Sequence, residues 1–95
     1  MERTYVIGQH VKYVDEYGKP HDAVITHWWD GQGTGMPIEA YLSQYGDPGC
    51  NLAYVTSDSM KRDNYGQQIE RRTSIVHKTK MAPLNANYWC WPDEL

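Results

Sequence analysis

Apolar and polar positions alternate along this chain in short runs separated by turn residues, and only residues 36–46 show an apolar repeat of helical period. The first run, His10–Asp15, sets Val11 and Tyr13 against Lys12. Gly18 in the Glu16–Pro20 turn supplies a positive φ, so a hairpin follows. The second run, Asp22–Trp29, places Ala23, Ile25, His27 and Trp29 on one face and Val24, Thr26 and Trp28 on the other. Both faces carry apolar groups, which predicts a central strand. Cys50–Thr56 opposes Leu52 and Tyr54 to Ala53 and Val55. Ile69–Lys78 starts polar on both faces and ends apolar, and Tyr88–Trp91 is a short aromatic strand stopped by Pro92.

Between the second and third strands, residues 30–49 open and close with glycine-rich turns and hold a short helical turn at Ile38–Gln44, where Ile38, Tyr41 and Leu42 share a face. Connections this long inside small domains are uncommon and often functional. Gly31, Gly33 and Gly35 invite a phosphate-loop reading, but the Lys-Ser/Thr that such a loop requires is missing. Five strands in 95 residues suit a small closed barrel, because closure removes the edges that so small a sheet must otherwise hide. The expectation is one all-β domain over residues 1–95, a five-stranded barrel with a long 30–49 loop.

Composition then narrows the function classes. Eleven kilodaltons of chain builds one small core, which disfavours a deep catalytic cavity for a large substrate. The aromatic set is 8 Tyr, 4 Trp and no Phe, so most ring burial brings a hydroxyl or an indole N–H with it. A net charge of -3 argues against a general polyanion binder. The charge is unevenly spread: residues 1–60 carry net -5, residues 61–80 net +4 and residues 81–95 net -2. No apolar run is long enough for a membrane span and the N-terminal residues lack an apolar signal core, so the chain reads as soluble and unexported.

Gly8, Val11, Tyr13, Asp15 and Gly18, followed by Ala23-Val24-Ile25, resemble the opening hairpin of Src-homology-3-like barrels of the Tudor and KOW kind. A longer succession is similar to short uncharacterised proteins of tailed bacteriophages and prophages. It comprises Asp22-Ala23, Asn51-Leu52 with Tyr54-Val55, Asp63 with Tyr65-Gly66, Gln68, Glu70-Arg71, Thr73-Ser74, His77 and Tyr88-Trp89. That likeness implies a phage setting, with a bacterial host cytoplasm or a virion as the place of action, and brings no active site with it.

Candidate chemistry is sparse. His10, His21, His27, His77, Cys50 and Cys90 form no metal-ligand spacing; His21 and His27 share a strand face yet stand roughly 20 Å apart. The two thiols read as small apolar core groups. Ser74 and His77, three apart on a strand, face opposite ways and make no nucleophile–base pair. Asp15-Glu16 and Asp93-Glu94 read as solvated turn and tail charges. No catalytic residue, metal or cofactor is assigned.

The tryptophans either fill the core that has no Phe or form a contact surface, and the 61–80 segment mixes cations with amides and one tyrosine. The contact set is therefore Trp28, Trp29, Tyr65, Arg71, Arg72, Trp89 and Trp91. The leading expectation is a non-catalytic module that docks a protein partner or a second copy of itself, as a virion decoration or assembly accessory. A nucleic-acid accessory, stacking rings on bases while Lys61, Arg62, Arg71 and Arg72 meet phosphates, is the second reading. A small-ligand or sequestering protein using the 30–49 excursion is the third.

Overall fold

In a computed structural model, which describes residues 5–29, 38–80 and 87–95, five strands close into a barrel. They are β1 (His10–Val14), β2 (Pro20–Trp29), β3 (Gly49–Val55), β6 (Ile69–His77) and β7 (Tyr88–Cys90), and the order around the barrel is β1-β2-β3-β6-β7. The intervening β4 (Arg62–Asp63) and β5 (Gly66–Gln67) form a separate two-stranded hairpin, and α1 (Ile38–Tyr45) precedes β3. All neighbours are antiparallel except β6 and β7, which run parallel and close the barrel through Val76↔Tyr88 and His77↔Trp89. The five expected barrel strands are all present with nearly the expected limits, and the helical turn is an eight-residue helix that ends at Gly46 with φ 78°. Gly31, Gly33 and Gly35 lie outside the described residues, as does Pro83 of the last connection.

Local chemistry accounts for the first hairpin. Asp15 accepts hydrogen bonds from the Tyr17 and Lys19 amides at 2.9 and 3.0 Å, and Gly18 takes φ 79°, so the chain reverses within five residues. Val11, Tyr13, Ala23 and Ile25 then point inward with Cys50, Leu52, Tyr54, Ile75, Trp28, Trp89 and Trp91, forming one core cluster.

Two bulges set the shape of the barrel. Ile25 faces Leu52 but His27 faces Asn51, so β2 carries one residue more than β3 at Thr26. The extra residue reverses the inside–outside alternation beyond it: Trp28 turns into the core at 4% exposure and Trp29 turns out at 48%. Strict alternation had placed Trp29 on the face of Ile25, and the bulge overturns that. On the other side of β3, Cys50 faces Ile75 but Leu52 faces Arg72, so β6 also carries an extra residue, next to Ser74 at φ 56°. Asn51 ties both bulges together. Its Oδ1 accepts the Trp29 indole N–H at 2.9 Å and the Ser74 amide at 3.0 Å.

The interior holds two ring clusters at opposite ends of β2 and β3. Tyr5, Trp28, Trp89 and Trp91 pack at one end with centroids 5.2 to 6.1 Å apart. Each buried indole N–H has an acceptor: Trp28 on the Val6 carbonyl, Trp89 on the Pro48 carbonyl and Trp91 on Asp47. This satisfies the polar cost of filling a core with Trp instead of Phe. At the other end, Tyr13, His21 and Tyr54 pack with centroids 4.5 to 5.9 Å apart. Cys50 and Cys90 are free, buried thiols, and burial pushes Cys50 up to about 12.

Candidate functional site: the cleft at the barrel mouth

β6 joins β7 only at its last residues, so beside its first half the barrel wall opens into a cleft of about 570 Å³. That volume is typical of a binding site. Tyr13 and Tyr54 form the floor, Glu70 and Arg72 one wall, Asp15, Glu16 and Tyr17 of the first turn a second, and Thr56 to Asp58 a third. The two non-glycine residues with positive φ among those described, Ser74 and Asn87, both line it. Strained backbone of this kind is kept where surrounding structure holds it, often at functional sites.

The bulge at Ser74 explains which β6 side chains reach the cleft. Before it, Glu70 and Arg72 face the barrel side of the strand; after it, Ile75 and His77 do, and these close the core. The Arg72 guanidinium lies 5.4 Å from the centre of the Tyr54 ring and 3.6 Å from Glu70. Glu70 also accepts from the Tyr54 hydroxyl at 3.1 Å and from Lys61 at 2.7 Å. Lys61 holds the Glu70 carboxyl below the ordinary glutamate range, and burial pushes the Tyr54 phenol up to about 12. Tyr13 donates to Asn87 at 2.6 Å. Beneath the rim, His21 Nε2 sits 2.7 Å from Asp15. Burial opposes the Asp15 charge, but the His21 bond and the two amides outweigh it, so this carboxyl also titrates below its usual range.

Electrostatically the cleft is acidic. Among the described residues, Asp15, Glu16, Asp58 and Glu70 line it against one cation, Arg72. Asp15 and Glu70 are engaged as described, whereas Glu16 and Asp58 have no cation within ion-pair distance among the described residues.

The contact set inferred from sequence is not brought together. Trp28, Trp89 and Trp91, at 4%, 0% and 2% exposure, are core residues with bonded indole nitrogens and offer no surface to a partner. The core needed their area because the chain has no Phe to supply it. Trp29 remains on the outside, beside Gly49, Ser74 and Val76. Tyr65 stands at the β4–β5 tip with 98% exposure, Arg71 lies exposed on the outer face of β6, and Arg72 alone of the set enters the cleft. Ser74 is exposed, while His77 is enclosed and bonded to Glu94 and Thr79, so the two make no catalytic pair.

Sequence reasoning passed over Tyr13, Tyr54 and Glu70 as site residues. The signal was available: a strand half that is polar on both faces, next to inward tyrosines at strand ends, marks an opening in a barrel wall.

Comparison with protein-family models, with curated proteins and with solved structures finds no match for this chain.

Proposed function

We propose that the chain is a non-catalytic binding module that docks a protein partner at the mouth of its barrel. The observation that carries this reading is the acidic cleft with the exposed Tyr17 ring at its rim and the Arg72 guanidinium in its wall. Tyrosine and arginine are the residue types that dominate protein contact energies, since each gives a large amphipathic surface at modest entropic cost. The acid excess favours a partner segment carrying lysine or arginine.

The chemistry of the cleft argues against catalysis there. No histidine or cysteine is among the described residues that line it, so it sets no imidazole beside the Ser57 and Ser74 hydroxyls and offers no thiol nucleophile. Asp15 and Glu70 titrate below their ordinary ranges, which makes them poor proton donors at neutral pH. Four carboxylates also repel a phosphate chain, which weakens the nucleic-acid reading at this site. The phage resemblance in the sequence would make the partner a virion or assembly protein, within a small barrel of Src-homology-3-like kind.

A photo-reactive amino acid at Tyr17 on the cleft rim, with Thr26 on the outer face as control, tests the reading in infected or lysogenic cells. The expected result is one identified protein crosslinked from position 17 and not from 26. Its affinity, measured with purified components, should fall about tenfold in Arg72→Ala. Crosslinks to nucleic acid alone, or an affinity that Arg72→Ala leaves unchanged, would refute it.

A further inference from the structure

The β4–β5 hairpin is pinned at its base and bare at its tip. Gln67 donates to the Thr56 and Asp58 carbonyls, Gln68 to the Lys61 carbonyl, and the Asp63 carboxylate caps the Tyr65 amide at 2.8 Å. Tyr65 nevertheless buries nothing of its own ring, at 98% exposure. Beside it, Arg62 is exposed and has no ion-pair partner among the described residues, while Lys61 is taken by Glu70. A hairpin held at its base by these bonds, presenting one tyrosine and one guanidinium without an ion-pair partner among the described residues, has less to order on docking than a free loop.

The cleft offers the complement: the exposed Tyr17 ring and, at its rim, the carboxylates of Glu16 and Asp58, which have no cation within ion-pair distance among the described residues. Both halves belong to the same chain and lie next to each other, since Ser57 and Asp58 line the cleft and lead directly into the hairpin. The same asymmetry runs through the sequence, net -5 over residues 1–60 and net +4 over 61–80. Adjacent complementary patches are satisfied in pairs by a two-fold axis, the commonest closed arrangement of soluble oligomers.

We infer that the occupant of the cleft is the β4–β5 hairpin of a second copy of this chain, exchanged reciprocally, with Tyr65 beside the exposed Tyr17 ring and Arg62 against Glu16 and Asp58. This rests on the cleft being a protein-docking site and names its partner.

The test is sedimentation of the intact chain up to about 100 µM. The wild type should form a dimer that weakens as salt rises from about 0.05 M to about 0.5 M, because rim charges are screened. Tyr65→Ala, Arg62→Glu and Glu16→Lys should each weaken it about tenfold while leaving the unfolding midpoint in place, all three residues being solvent-exposed. Combining Arg62→Glu with Glu16→Lys in one chain should restore the dimer, and mixing the two single variants should give a heterodimer where each alone is weak. A wild-type monomer at the highest concentration overturns the inference; if Tyr17 still crosslinks a different protein, the docking reading survives without it. A dimer indifferent to all of these variants overturns it as well.

Discussion

Asn51 is the residue whose removal should do most damage for its size. One oxygen accepts the Trp29 indole N–H and the Ser74 amide, at 2.9 and 3.0 Å, and so bridges the bulge in β2 to the bulge in β6. Asn51→Ala deletes both bonds. Each is worth about 1 kcal/mol net, and the half-exposed Trp29 can regain water, so the loss should be about 1.5–2.5 kcal/mol. For a chain of this length that lowers the melting temperature by roughly 10 °C.

The bond to Ser74 also holds a non-glycine residue at φ 56°, which costs about 1–2 kcal/mol in the absence of support. Ser74→Gly removes that strain but frees the unfolded chain by about 0.5–1 kcal/mol, so it should be neutral or stabilising by up to about 1 kcal/mol. Glycine keeps the bulge without help, and Asn51→Ala should therefore cost about 0.5–1 kcal/mol less when Ser74 is already glycine. Urea unfolding followed by tryptophan fluorescence measures all four chains of this cycle. An Asn51→Ala loss below about 0.5 kcal/mol, the range of ordinary surface changes, refutes the bridging role. Strict additivity of the two substitutions refutes the account of strain at Ser74.

Trp89→Ala should cost about 3–5 kcal/mol, because the ring is wholly buried, and circular dichroism at 25 °C should show a largely unfolded chain; Trp89→Phe should stay folded and lose the bond to the Pro48 carbonyl. Cys50 and Cys90 should resist thiol reagents at pH 8 in the folded protein and react in urea, since burial raises both thiols, Cys50 to about 12. Asp15 and Glu70 bind protons more weakly folded than unfolded, so their contribution is present above the ordinary carboxylate range and is lost as pH falls through and below about 4. Tyr54 is shifted the other way, and its contribution should disappear as pH rises from about 10 to about 12. Urea midpoints against pH should consequently fall at both extremes, and a midpoint unchanged down to pH 2.5 would contradict the acid limb.

The barrel was legible because its strands are short, alternate cleanly and are separated by residues that cannot continue a strand. Period 2 gives Val11, Tyr13, Ala23, Ile25, Leu52 and Tyr54 their inward direction without knowledge of their partners. What escaped was every consequence of an inserted residue. A bulge adds one position to one strand and is defined by pairing with another, so neither Thr26 nor Ser74 announces it locally. The error propagates one way along the chain: beyond Thr26 the faces exchange, and Trp28 and Trp29 change places between surface and core. The candidate contact set suffered for a related reason. A side chain's chemistry suggests contact surfaces and core equally when it is tryptophan, and only the barrel's need for ring area in a chain without Phe decides between them.

That same need accounts for where the site lies. The three core indoles and the partly buried Tyr5 close the barrel there, each with its polar atom hydrogen-bonded. At the other end β7 contributes only three residues, too few to run alongside the whole of the nine-residue β6. The unmatched half of β6 cannot be apolar on its barrel side without exposing that surface to water, and the chain places Glu70 and Arg72 there. Those two, resting on Tyr54, keep the opening polar, ionised and held in shape by Lys61. Among the described residues, a small barrel closed at one end by indoles thus has at the other a charged cleft, because β7 is shorter than the strand it closes against.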